Sequence, residues 1–350
     1  MYISGTGNIS PQATFDNASP FLETVRSFPG NRLACTEPDY KNYIGPVQIR
    51  RMGRIVKMGI TAAKIALENA DVPMPDAIIV GTGLGCLEDT EKFLRVMLDD
   101  HEQTAAPTPF ISSTHNSVAG AIALQIKCLG YNYTYVHKGF SFISCLYDAA
   151  LQMQLGGAQH VLVGGIDEMT DTKYHNNDLI HWWNTATPDT ASVLSHPANG
   201  VLAGEGSTFF VLSKEKTENA YAKIIGFKQV FADAPEDVNQ AFDQLLTEHG
   251  LKGEAFVLLE GRSGYTGDDV FYDGVEQLAG PNAVRCVYKH LCGSYYTSDA
   301  FGLWVAANII KQGHIPEALQ PSSVSTRIPK LVVLYDRVSH GNHVFQILSA

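Results

Sequence analysis

Between Tyr131 and Glu168 the pattern of apolar and polar positions changes period twice. Tyr131–Val136 alternates aromatic or β-branched side chains with smaller polar ones, which is the period of a strand, and His137-Lys138-Gly139 breaks the alternation. Phe142, Ile143, Leu146, Ala149, Ala150 and Met153 then recur at three- and four-residue steps, predicting a helix that Gly156-Gly157 stops. His160–Val163 reads as a second strand. Strand, tight turn, buried helix and strand make a βαβ unit, and its turn aims a helix N-terminus with free N–H groups at whatever lies above the sheet.

The same reading extends along the chain. Tyr2–Gly5 is a short strand followed by a polar loop through Asn42, and Val56–Asn69 is an amphipathic helix. Ala77–Val80 is a buried strand running into Gly81-Thr82-Gly83-Leu84-Gly85. That G-x-G-x-G spacing, with no acidic residue at the end of a following strand, marks packing glycines and not a dinucleotide fingerprint. Ala106–Ser113 leads into a helix over Ser117–Cys128 whose Ala119, Gly120, Ala121 and Ala123 permit close packing. His115 just before it reads as a hydrogen-bonding histidine. Asp171–Leu194, aromatic and polar with few helix signals, reads as a covering or interface segment.

Strands over Gly200–Ser213 and Tyr221–Val230 flank the midpoint, beyond which the first half recurs. Ala255–Leu259 with Glu260–Gly264 parallels Ala77–Val80 with Gly81–Gly85, and Ser294–Gln312 parallels Thr114–Gly130, at a separation of roughly forty residues in both halves, the scale of one supersecondary unit. Leu331–Tyr335 and His343–Leu348 are expected to close the second sheet as an antiparallel pair.

Several motifs in this order resemble the β-ketoacyl synthases of the thiolase-like superfamily. They are Arg50-Arg51-Met52-Gly53-Arg54 with Met58–Ala70, Gly81–Gly85, Pro107–Gln125, Gly164-Gly165-Ile166-Asp167-Glu168 and Gly200–Leu212. The resemblance runs along most of the chain. It implies an α/β, thiolase-like fold of two duplicated halves, 1–215 and 216–350, each with a mixed five-stranded sheet, layered α-β-α-β-α.

The family's chemical residues are absent from the positions the motifs mark. Counting back from Gly164-Gly165 puts Gly139 in the slot of the acylated cysteine. Glu260 stands where the resemblance places the first histidine. In Lys289-His290-Leu291-Cys292-Gly293-Ser294 the lysine and glycine remain, but Ser294 replaces the second histidine. The family's Gly-Phe-Gly-Gly loop is not recognisable in Arg337–Asn342. Decarboxylative condensation needs a thiolate to carry the acyl chain and imidazoles to stabilise the enolate. Glycine has no side chain to acylate, and Glu260 is expected to present negative charge where positive is needed. No metal-ligand spacing and no cofactor motif is present, so no cofactor is expected.

At 350 residues, 45% of them hydrophobic, the chain can bury a large core. No apolar run approaches the about 18 residues of a membrane span, and the first residues lack a signal peptide's pattern, so a cytoplasmic location away from membranes is expected. The net charge of −11 argues against a nucleic-acid partner and against direct docking of an acidic carrier protein. Arg50, Arg51, Arg54 and Lys57 are the local exception and read as a solvated helix start or intersubunit pairs. Six scattered cysteines read as reduced core residues. Cys145 lies more than a turn into its helix, beyond the reach of the dipole. Ser141 reads as a capping residue.

Among functions, the resemblance implies a non-catalytic partner subunit of the chain-length-factor kind. Such a subunit pairs with an active ketosynthase, or with itself, in polyene, polyketide or fatty-acid-type biosynthesis, and meets an acyl-carrier protein through the partner. Pairing is expected through the strand carrying Tyr133 and Tyr135, and tunnel or pocket walls are expected from Phe110, Ile111, Phe140 and Phe142. The alternatives are a divergent acyltransferase or ketosynthase using Ser141, Glu260 or Ser294, and a stand-alone acyl-binding module.

Overall fold

The computed structural model describes residues 1–17, 21–103, 107–319 and 330–350. Ten strands run in the order β1 (Tyr2–Ile9), β2 (Ala77–Gly81), β3 (Tyr131–Tyr135), β4 (His160–Asp167), β5 (Gly206–Ser213), β6 (Ala222–Phe231), β7 (Val257–Glu260), β8 (Val284–Val287), β9 (Leu331–Ser339) and β10 (Asn342–Ser349). The helices of the first half are α1 (Arg54–Ala70), α2 (Leu87–Asp99), α3 (Pro107–Ser112), α4 (Ser117–Ile126), α5 (Ser141–Gln154) and α6 (Asp171–Leu179). Those of the second are α7 (Pro235–Glu248), α8 (Asp269–Ala279), α9 (Lys289–Cys292) and α10 (Ser298–Gln312).

Hydrogen bonding orders the strands β3-β2-β4-β5-β1-β6-β10-β9-β7-β8. In the first five, β2 pairs parallel with β3 and β4, and β5 pairs antiparallel with β4 and β1. The last five repeat the pattern in reverse: β7 is parallel to β8 and β9, while β10 is antiparallel to β9 and β6. Two mixed five-stranded sheets therefore share one topology, joined where Tyr2 and Ile3 pair with Lys223 and Ala222.

Alternation along the strands sorts side chains into layers. Ile79 and Leu334 point into a central core with Phe142 and Leu146 of α5 and Phe301 and Val305 of α10. The neighbouring Ile78 packs outward against Met58, Ala62 and Ala66 of α1 and Val118 of α4, and Val333 packs outward against Phe242 of α7 and Val275 of α8. The five layers α-β-α-β-α follow. Every residue from Ser298 to Ile309 of α10 is buried, as a helix enclosed by two sheets requires.

Strand order also corrects the matching of the repeats. Helix α10 connects β8 to β9, as α5 connects β3 to β4, so its counterpart is the central helix α5 and not α4. Both α4 and α10 are rich in small residues, which is why composition alone paired them. The segment from Asp171 is likewise not irregular throughout: α6 forms there, with Thr170 Oγ1 accepting from the Lys173 N–H at 3.1 Å as its N-cap. His115 is exposed at the surface. Arg54 begins α1 by forking onto the buried Glu205 at 2.6 and 2.7 Å, so it is an internal strut.

Candidate functional site

The turn between β3 and α5 is built by close approach. A Cβ on Gly81, at the end of β2, would lie 2.7 Å from the backbone of Ser141, so glycine lets β2 reach the start of α5. Ser141 locks this contact: its hydroxyl accepts from the His137 N–H at 2.8 Å and donates to the Thr82 carbonyl at 2.9 Å. It is fully buried, and the two bonds make it a tether of the turn and not a helix cap or a nucleophile. Within the turn Lys138 adopts φ of 47°, a left-handed conformation that non-glycine residues rarely take.

Gly139 is buried directly beyond. The β9–β10 turn folds over it: a Cβ at this position would lie 2.6 Å from Ser339 Oγ and 2.9 Å from Asn342 Cβ. The slot expected to lack a nucleophile also has no room for one. Cys145 offers no substitute, because it is buried, bonded to the Ser141 carbonyl at 3.2 Å, and its thiol is pushed well up by burial.

Above the turn lies a cavity of about 1030 Å³, walled by both halves of the chain. Phe140, Lys289 and Ser294 line it together, so three of the residues marked by sequence do converge. Lys289 is held by Asp336 of β9 at 2.6 Å, and Tyr288 donates to the other oxygen of that carboxylate at 2.5 Å. Ser294 donates its backbone N–H to the Leu202 carbonyl at 2.8 Å.

Glu260 behaves differently from expectation. Its side chain is not part of the cavity wall. It turns to Arg262, whose Nε donates to it at 3.1 Å, and burial pushes its carboxyl up to about 8. The Glu260 carboxyl therefore does not face the cavity, and Ser263, farther along the same loop, lines it instead. Phe142 also departs from expectation: it is wholly buried in the central core, 5.8 Å from the Phe210 ring. Phe110 and Ile111 are exposed on α3 and touch no part of this cavity.

The cavity contains groups the sequence did not single out. Lys173 and Asn177, one helical turn apart on α6, face it together with Trp182 and Trp183. Tyr265 and Tyr296 come from the second half. The Thr170-Asp171 start of α6 was the available signal, and reading it would have placed Lys173 and Asn177 on one face. Among the described residues no group of His, Cys, Asp and Glu is placed to hold a metal ion, and no helix is long and apolar enough to cross a membrane.

Strand β3 forms the outer edge of the first sheet. Tyr131, Tyr133 and Tyr135 share one face, with ring centroids 6.2 and 4.9 Å apart in succession, and Tyr131 donates to Asp148 of α5 at 3.0 Å. Tyr133 is 49% exposed, while Tyr135 packs against the central core. Val136, Leu124 and Leu129 are exposed apolar residues of the same region of the chain.

Comparison with known proteins agrees with this geometry. The chain is similar over 100% of its length, and over 98% of the other chain, to the ishigamide ketosynthase/chain length factor, with a TM-score of 0.81 at 17% identity. A β-ketoacyl synthase from Burkholderia phymatum STM815 gives a TM-score of 0.78 at 15% identity, covering 99% of this chain and 98% of that one. A ketosynthase in complex with its chain length factor from Xenorhabdus doucetiae gives 0.74 at 15% identity, covering 100% and 97%. No curated protein sequence matches. The profile of the β-ketoacyl synthase N-terminal domain matches residues 9–218, more than half of the chain. The chain belongs to the β-ketoacyl synthase family.

Proposed function

We propose that this chain is a catalytically degenerate β-ketoacyl synthase subunit that pairs with an active ketosynthase and bounds its acyl tunnel. The observation that carries the reading is Gly139, which supplies no nucleophile and is packed under Ser339 and Asn342. A chain that cannot hold a thioester at the turn cannot perform the covalent step itself. The family fold is nevertheless complete, and its free β3 edge with the exposed Tyr133 is a surface to which a second sheet can add. Two of the similar structures are of a ketosynthase with its chain length factor, which supports this role over a stand-alone one.

In this role Phe110 and Ile111 act from outside the chain's own cavity. They are exposed on α3, and in this reading their bulk stops acyl growth in the partner's tunnel. The carrier protein meets the assembly through the ketosynthase. The divergent-enzyme reading is weaker because the Ser141 hydroxyl is engaged on both sides, and Ser294 has no hydrogen bond to a basic side chain among the described residues. Coexpression with an active ketosynthase tests the pairing. A stable one-to-one complex is expected. A chain that elutes alone, or only with its own copies, in the presence of every ketosynthase tried contradicts it.

A further inference from the structure

Strand β3 is a free sheet edge, yet helices on both sides of the sheet fix its side chains. Tyr131 donates to Asp148 Oδ2 of α5 at 3.0 Å, and on the other face Asn132 Nδ2 donates to the Ala119 carbonyl of α4 at 3.0 Å. The Tyr131 and Tyr133 rings lie within 13° of parallel, and Tyr133 is held between its two neighbours by ring contacts. Tyr131 and Tyr133 are 39% and 49% exposed, whereas Asp148, to which the first ring is tied, is 5% exposed.

A carboxylate this deep is costly unless it is paired. Among the described residues Asp148 forms no ion pair. Its two oxygens are taken by Tyr131 and by Gln152 Nε2, the latter at 3.1 Å from one turn farther along α5. Burial and then this bond push the Tyr131 hydroxyl up to about 12, and burial and then the nearby Asp148 charge raise that of Tyr135. One buried carboxylate thus acts on two of the three rings. Neither Asp148 nor any of the three tyrosines lines the cavity, so the arrangement serves the sheet edge. An exposed side chain that is ordered only on association lowers affinity by the freedom it loses, and one fixed beforehand does not.

We infer that Asp148 is a positioning residue for assembly, holding the Tyr131, Tyr133 and Tyr135 ladder in the arrangement against which the sheet edge of a ketosynthase partner packs. The inference rests on the pairing proposed above and adds to it the group that prepares the surface. Asp148→Leu removes the acceptor, Tyr131→Phe removes only the donor, and Asp148→Asn keeps an acceptor as the conservative control. In the complex with a copurifying ketosynthase, followed by sedimentation over a dilution series, Asp148→Leu and Tyr131→Phe should each raise Kd roughly tenfold, the scale of one hydrogen bond to a charged group. Asp148→Asn should restore tight association. The double variant Asp148→Leu with Tyr131→Phe should be no weaker than the weaker single one, because both cut the same bond. Tyr131→Phe changes only the hydroxyl of a part-exposed ring and decides the matter if Asp148→Leu fails to fold. The inference is overturned if Tyr131→Phe associates as the natural chain does, if the two changes weaken association additively, or if Asp148→Leu lowers Tm and leaves Kd unchanged. Those results leave the pairing itself standing, whereas a natural chain that forms no complex overturns both.

Discussion

At Gly139 the missing side chain and the missing space have one cause. Ser339 donates to the Asn342 side chain at 2.6 Å, and this pair occupies the volume a thiol would need. Gly139→Cys is therefore expected to lower stability by about 1–3 kcal/mol through overpacking, read as a fall in Tm, and to remain inactive in condensation. Condensation by that single variant would show that the turn can open and that other groups supply the stabilisation. A second residue gives a pH signature. Glu168 accepts from the Glu88 N–H at 3.0 Å, and burial pushes its carboxyl from 4.5 up to about 7. Its folded pKa is above its unfolded one, so its stabilisation is complete below about 4.5 and is lost as the pH rises through about 7. The stability of the natural chain relative to Glu168→Gln should fall across that window, by no more than about 1.4 kcal/mol per pH unit, and be flat above it. A difference that grows with pH would reverse the assignment.

Among elements, β3 is at once the edge of the first sheet and a neighbour of the central core. Tyr135 serves the core and Tyr133 the edge, so a charge at the two positions should act differently. Tyr133→Asp is expected to leave Tm nearly unchanged and to abolish association in size-exclusion chromatography, since a half-exposed side chain costs the monomer little. A natural chain that is a well-behaved monomer at micromolar concentration would remove the premise.

Much at this scale was legible from sequence, because β3, α5 and β4 switch between periods of 2 and 3.6 with glycines at the joints. What escaped is instructive in physical terms. Helix α6 carries Asn176 and Asn177 and little apolar periodicity, so its cap was its only local signal. Glu260 occupies the position the motif marks, but its direction is set by Arg262 two residues on. Phe142 and Phe140 are two apart in the sequence, yet one belongs to the central core and the other to the cavity wall.

For the whole molecule, the repeat of five strands explains how a cavity forms above the β3–α5 turn. Its walls come from α6, the loop after β7 and the β9–β10 turn, segments that the two-sheet core holds in place. No sequence window contains this cavity: Lys173 and Tyr296, 123 positions apart in number, approach to 5.0 Å only in the fold. Phe110 and Ile111 belong to a different surface, and their effect is expected only in the assembly. Replacing either by Ala in a complex with an active ketosynthase should lengthen the released chains, measured by mass spectrometry. An unchanged length distribution with reduced total activity would make the subunit a scaffold and not a ruler.

The central claim is that this member of the family does not carry the acyl group. Intact-mass measurement of a mixture of this chain, an active ketosynthase and an acyl-loaded carrier protein tests it directly. The account predicts an acyl increment on the ketosynthase and an unchanged mass for this chain. A stoichiometric, stable acyl increment on this chain would contradict it.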